Sequence, residues 1–197
     1  LHCRQKDFTL SLDSSGDSLH KRGYRQSERQ APLNEILATG MILLSEWNKK
    51  NTFYDPMCGS GTLLTEAHAI AHNIPPRQNR ELYGFMNWPD FDLSLWQKVK
   101  DEANAQINDD VVKIYGTEID ETQYYETKSL LAKLDLAGIE IKHSDFIDSS
   151  PPEKNGLIIC NPPYGERLDE DDVEELYKEL GDTLKTNYTG WEAWIIS

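Results

Sequence analysis

The sequence has little of what settles a protein's class at once. Its three cysteines, Cys3, Cys58 and Cys160, are odd in number and form no CxxC pair. No Cys/His ligand spacing accompanies them, so neither a disulfide framework nor a zinc site is expected, and no metal. A reducing, cytoplasmic setting follows. No apolar run approaches the ~20 residues that span a bilayer. The longest, Ile42–Leu44 and Leu157–Cys160, are core-sized, and no membrane partner is expected. The sequence opens on Leu1 with no leader pattern, which reads as a piece of a longer polypeptide. Basic residues are scarce as well: 20 Lys and Arg face 34 Asp and Glu, for a net charge of -14. That balance is unfavourable for gripping phosphates. It is uneven, however. Residues 1–30 carry Arg4, Lys6, Lys21, Arg22, Arg25 and Arg29 against Asp7, Asp13, Asp17 and Glu28. Much of the acid lies between Glu166 and Asp182, where the plain reading is a solvated helix face.

What is present is a core and an alternation. The chain is 38% hydrophobic over 197 residues, enough for one sizeable domain. Residues 8–12 alternate like a strand, Asp13–Asp17 is turn chemistry, and Ser18–Arg25 is read as the returning strand of a small hairpin, with a loop over 26–30. Pro32 opens a helical pattern that runs through Leu33, Ile36, Leu37, Met41 and Leu44 to about Trp47. Strands are expected at 52–55, 111–115, 139–143, 156–160 and 191–196, and helices at 62–72, 95–107, 122–136 and 171–184. Residues 73–98 form an irregular insert rich in proline and aromatics. Such alternation implies an α/β fold with a mostly parallel sheet. Ligands then bind where strands end, and every candidate motif lies at a predicted strand end.

Asp55-Pro56-Met57-Cys58-Gly59-Ser60-Gly61-Thr62 joins a strand to a helix. The glycines let backbone approach a ligand, and the helix start offers free N–H groups. No Gly-Lys-Ser/Thr follows, so this is not a phosphate loop, and Leu64 stands where a dinucleotide fingerprint has glycine. The Asp55 carboxylate would repel a pyrophosphate and attract an ammonium or sulfonium. S-adenosylmethionine carries both. The bland alternative is that Asp55 caps the helix. Glu118, followed by Ile119 and Asp120, suits ribose hydroxyls, or else an exposed helix cap. Asp145 suits an adenine amino group, and Phe146 could pack on the ring.

Asn161-Pro162-Pro163-Tyr164 is the most specific signal. The prolines fix the backbone and leave carbonyls without competing donors. The Asn161 side-chain oxygen and the Pro162 carbonyl can accept both hydrogens of an amino group, holding its lone pair toward an incoming methyl. Tyr164 can stack on an extruded base. The bland reading is a proline turn with a core tyrosine.

These two motifs, with Asn161-Pro-Pro-Tyr-Gly-Glu-Arg167, resemble the THUMP-associated bacterial 23S rRNA guanine-N2 methyltransferases, a family often described as N6-adenine-specific DNA methylases. Leu19-His-Lys-Arg-Gly-Tyr-Arg25, Ala31-Pro-Leu33 and the insert with Gly84-Phe85 and Trp88 are similar to that family too. The resemblance implies a Rossmann-like methyltransferase sheet, with residues 31–197 catalytic and truncated before the last strands. It makes 1–30 a hairpin and linker from a preceding RNA-binding region. It implies S-adenosylmethionine held by Asp55, Pro56, Gly59, Ser60, Gly61, Thr62, Glu118, Ile119, Asp145, Phe146 and Asn161. It makes Asn161, Pro162, Pro163 and Tyr164 catalytic on the N2 amine of a guanosine in RNA, expected to be large-subunit rRNA. The residues alone leave an adenine-N6 DNA methyltransferase, a protein-glutamine methyltransferase and a binding-only domain as alternatives.

Overall fold

In a computed structural model, residues 2–24, 32–136, 138–163 and 170–196 are described. Strands β1 (His2–Arg4) and β2 (Asp7–Thr9) form an antiparallel hairpin. Helix α1 (Glu35–Leu44) follows, then β3 (Thr52–Asp55) and α2 (Thr62–Ala71). A 3₁₀ turn (Gly84–Asn87) and α3 (Leu93–Asn104) make up the insert. The rest alternates: β4 (Ile114–Glu118), α4 (Glu121–Lys133), β5 (Ile139–His143), β6 (Gly156–Cys160), α5 (Glu170–Asn187) and β7 (Glu192–Ile195).

Strands β3 to β7 form one five-stranded sheet in the order β5-β4-β3-β6-β7, and every neighbouring pair is parallel. The order reverses between β3 and β6. Such a reversal opens a crevice beyond the carboxyl ends of the two strands, because their crossovers leave in opposite directions. Asp55 ends β3 and Asn161 follows β6, so the two main motifs flank that crevice.

The central strands read as unbroken apolar runs because helices cover both faces. Every residue of β3 and β6 is buried. Side chains alternate between faces along a strand. Phe53, Leu157 and Ile159 accordingly join Ala38, Ile42 and Leu64 of the helices in one cluster. Tyr54, Ile158 and Cys160 join Phe146, Leu180 and Tyr188 in the other. The edge strand β7 is exposed along its length.

Three expectations shift. The hairpin lies nearer the N-terminus than residues 8–25, because Gln5, at φ 55, lets Arg4 pair directly with Asp7. The Asp13 turn does form, its carboxylate accepting from Ser15 and Gly16. Beyond it no described residue of 18–24 is in a strand, and Arg25 lies outside the described residues. Instead the insert docks on this segment: Gly84 and Phe85 donate their amides to the Ser15 and Ser14 carbonyls, and the Arg77 and Arg80 guanidiniums take those of Ser18 and Asp17. Helix α1 begins after Pro32, since Asn34 caps it with bonds from Ile36 and Leu37. It ends before Trp47, where Glu46 turns to φ 53. Strand β4 starts later than Val111, which is 95% exposed, and runs on through Gly116-Thr117-Glu118 because β5 pairs with it as far as Glu118↔His143.

Candidate active site

The turn after β3 is built on glycine. Gly59 and Gly61 take φ 49 and 74, and a Cβ on Gly61 would lie 2.8 Å from the Thr127 methyl. Only glycine fits there without strain. Gly61 is the N-cap of α2 and brings no side chain to cap it. The positive end of that helix lies at the carboxyl end of β3. The helix-cap alternative for Asp55 is not what forms: the carboxyl accepts from the Met57 amide at 3.2 Å. At 1% exposure Asp55 lies beneath the turn rather than on its open side. Burial, with the nearby Glu118 charge adding, pushes its carboxyl up from 3.8 to about 8.

Glu118 is also buried, and it braces the turn. Its two oxygens accept from the Gly59 amide at 2.8 Å and the Asp120 amide at 2.9 Å. Each oxygen keeps a further lone pair. The cap of α4 is Asp120, through the Gln123 amide, and not Glu118. Ile119 stands 64% exposed between these acids, an apolar shelf at the strand end. Asp145 accepts from the Ile147 amide and holds its own turn. Phe146 is a correction: its ring is 1% exposed and packs against Tyr54 and Tyr188, so it belongs to the core and not to a ligand face. Ser60 is exposed, and its hydroxyl lies 3.3 Å from that of Thr62. Pro56 and Pro162 are fully buried.

Asn161 carries the feature that stands out. Its side-chain oxygen is buried and has no hydrogen-bond partner among the described residues. A buried carbonyl oxygen left unpaired costs about 1–3 kcal/mol, so such an atom implies a donor still to come. Pro163 is half-buried beside it. Tyr164 lies outside the described residues.

Some residues that shape the site gave no signal in the sequence. Thr117 holds the turn from β4 with two bonds, its hydroxyl to the Pro56 carbonyl at 2.6 Å and its carbonyl to the Cys58 amide at 2.9 Å. Thr127 of α4 donates to the Gly59 carbonyl at 2.6 Å. Cys58 and Cys160 are buried, and burial pushes both thiols well up, which makes them packing groups and not nucleophiles. Among the described residues no group of three or more His, Cys, Asp or Glu is placed to hold a metal, and no helix is long and apolar enough to cross a membrane.

The crevice thus joins a glycine turn, a helix start, several carboxylates and an orphaned amide oxygen. A pyrophosphate is a poor match for the carboxylates. A cationic ligand with ribose hydroxyls fits them, and an amine donor fits Asn161.

Comparison with known proteins gives the same direction. A Synechocystis protein named as a candidate RNA methyltransferase is 38% identical over the whole chain, which covers 52% of that protein. The ribosomal RNA large subunit methyltransferase K/L of Shewanella frigidimarina is 40% identical over 97% of the chain and 28% of its own length. The chain therefore spans about half of one relative and about a quarter of the other. Among solved structures, a candidate methyltransferase complexed with S-adenosylhomocysteine is 38% identical with a TM-score of 0.84, over 93% of this chain and 48% of that one. A predicted N6-adenine-specific DNA methylase from Listeria monocytogenes is 36% identical with a TM-score of 0.82, over the same shares. The RMKL-like methyltransferase domain matches residues 22–197, the whole five-stranded sheet and both strand-end motifs. By that match and those identities, the chain belongs to the RMKL-like methyltransferase domain family.

Proposed function

We propose that this chain is the catalytic part of an S-adenosylmethionine-dependent RNA methyltransferase, and that its target is the N2 amine of a guanosine in large-subunit rRNA. The observation that carries the reading is the buried, unpaired Asn161 oxygen at the switch point, beside the glycine turn. When bound, the cofactor supplies an electrophilic methyl group.

The chain's own residues bind and orient. Gly59, Ser60, Gly61 and Thr62, at the start of α2, receive the amino-acid end of the cofactor. Asp55, protonated by burial in the free chain, gives up its proton when a cationic ligand binds above it and then adds negative field from beneath the turn. Glu118 has lone pairs left for ribose hydroxyls, Ile119 gives the adenine an apolar shelf, and Asp145 accepts from its amino group. Pro56 and Phe146 serve through their backbone and their packing. Asn161 and the Pro162 carbonyl accept the two hydrogens of the target amine and keep its lone pair free of them. Pro163 fixes that turn, and Tyr164 stacks on the base. Placement and not a strong base drives such a reaction, since no covalent enzyme intermediate is required. Residues 1–30 serve as the lead-in from an RNA-binding region, and 31–197 as the catalytic part.

Incubation of the full-length protein with a labelled methyl donor and either rRNA or DNA tests this. Label recovered as N2-methylguanosine is expected. A second reading, N6-adenine methylation of DNA, is favoured by the name of the Listeria structure. Label found only as N6-methyladenine in DNA would select it.

A further inference from the structure

Beneath the site runs a buried line of hydroxyl groups. The Thr117 hydroxyl donates to the Pro56 carbonyl at 2.6 Å. Tyr54 O lies 3.0 Å from Thr117 Oγ1 and 3.3 Å from Ser149 Oγ. Ser149 donates to the Phe146 carbonyl at 2.7 Å, and Tyr188 O lies 2.8 Å from Ser149 Oγ.

Counting hydrogens fixes the direction of the line. Thr117 has one hydroxyl hydrogen, and the Pro56 carbonyl takes it. Tyr54 must then donate to Thr117. Ser149 gives its hydrogen to Phe146 O, so Tyr188 must donate to Ser149. The Tyr54–Ser149 approach is left with only Ser149's hydrogen, which lies nearer Phe146. Burial pushes the Tyr54 and Tyr188 phenols up, so both remain donors at neutral pH. The two tyrosine rings stack, with centroids 5.9 Å apart and planes 17° apart, which fixes where their hydroxyls sit. The line ends on two backbone carbonyls. One follows Asp55 and the other follows Asp145, at the two ends of the candidate cofactor site.

We infer that Thr117 and Tyr54 are positioning residues for the cofactor. Thr117 sets the height of the 56–61 turn over β4 from both its oxygens, and Tyr54 fixes the Thr117 rotamer by donating to it. Ser149 and Tyr188 hold the 145–149 turn in the same way, and the stacked Tyr54 and Tyr188 rings join the two halves, so the two turns keep one spacing. Neither Thr117 nor Tyr54 needs to touch the ligand. The inference rests on the cofactor reading above.

The test uses Thr117→Val, Tyr54→Phe and Thr117→Ser in the full-length protein, with S-adenosylmethionine and S-adenosylhomocysteine as calorimetric probes. Thr117→Val keeps the shape and loses the donor. Its Kd should rise about tenfold, which equals about 1.4 kcal/mol, the size of one hydrogen bond. Tyr54→Phe should weaken binding less, and the double variant should be no worse than Thr117→Val alone. Thr117→Ser should bind within about twofold of wild type, because the hydroxyl is restored. Hydrogen exchange without ligand supplies a second readout: amides of 57–61 should exchange faster in Thr117→Val, with those of 157–160 unchanged. The positioning claim is overturned alone if wild type binds and Thr117→Val binds equally well, if Thr117→Ser fails as badly as Thr117→Val, or if 57–61 exchange is unmoved. A wild-type chain that binds neither probe overturns the cofactor reading and this claim with it. Should Thr117→Val fail to fold, Tyr54→Phe carries the test, and unchanged affinity there overturns the claim.

Discussion

Asn161 and Asp55 both bear unmet polar needs, and the needs differ. The Asn161 oxygen is neutral and lacks a donor. Asn161→Ala should therefore leave the cofactor Kd nearly unchanged and should not destabilise the fold. Turnover should fall on the order of 100-fold, as when one positioned polar group is lost from an active site. Steady-state kinetics beside calorimetry separates these effects, and wild-type turnover would remove Asn161 from the mechanism. Asp55 has no counter-charge among the described residues. Its carboxyl titrates at about 8 in the fold against 3.8 ordinarily, so the folded chain holds a proton that the unfolded chain releases. The sign follows: this contribution to stability is full below about pH 4 and is lost as pH rises to about 8. Asp55→Asn should be more stable than wild type at pH 8 to 9 in thermal melts. A cation bound nearby favours the charged form, so wild-type cofactor affinity should tighten as pH rises toward about 8. Asp55→Asn should bind more weakly and lose that pH dependence relative to wild type. Parallel pH profiles for the two proteins would contradict the role given to Asp55.

At the scale of elements, the glycine turn and the strands beside it carry the site. Gly61→Ala combines a left-handed φ with a 2.8 Å clash against Thr127. It should cost more than about 1 kcal/mol of stability and weaken cofactor binding together, read by melting and calorimetry. A variant that binds as wild type would show that the turn tolerates a different path. The elements best read from sequence are those whose pattern is complete in itself. Strand β6 is five apolar or small residues bounded by turn residues, and its limits came out as expected. Strand β3 did too, because the Pro-Met-Cys-Gly turn ends it. The hairpin did not. An alternating segment at 8–12 looks like a strand whether or not a partner exists, and here the insert takes up the following backbone. Thr117, Thr127 and Tyr54 were invisible for a similar reason. A threonine or tyrosine in a regular element reads as filler until tertiary structure brings a carbonyl to its hydroxyl. Phe146 misled because adjacency to Asp145 in sequence places its ring on the opposite side, in the core.

Across the whole molecule, the charge is the feature that shapes expectations about RNA. With a net charge of -14, this chain is a poor overall match for a phosphate backbone. It also covers only part of the relatives it matches. The chain alone should bind cofactor yet hold rRNA weakly, with affinity lost by about 150 mM salt. Filter binding across a salt series checks this. Tight, salt-resistant binding by the 197-residue chain would place the RNA grip here after all. The fold class was legible at this scale because alternating helices and strands leave few arrangements. The strand order was not, and it is the order that brings Asp55 and Asn161 to one crevice.

The most direct measurement is nucleoside analysis of rRNA and DNA from cells lacking the gene. One N2-methylguanosine should vanish from large-subunit rRNA, return with the wild-type gene, and stay absent with Asn161→Ala. Unchanged N2-methylguanosine in rRNA, together with loss of N6-methyladenine from DNA, would contradict the assignment.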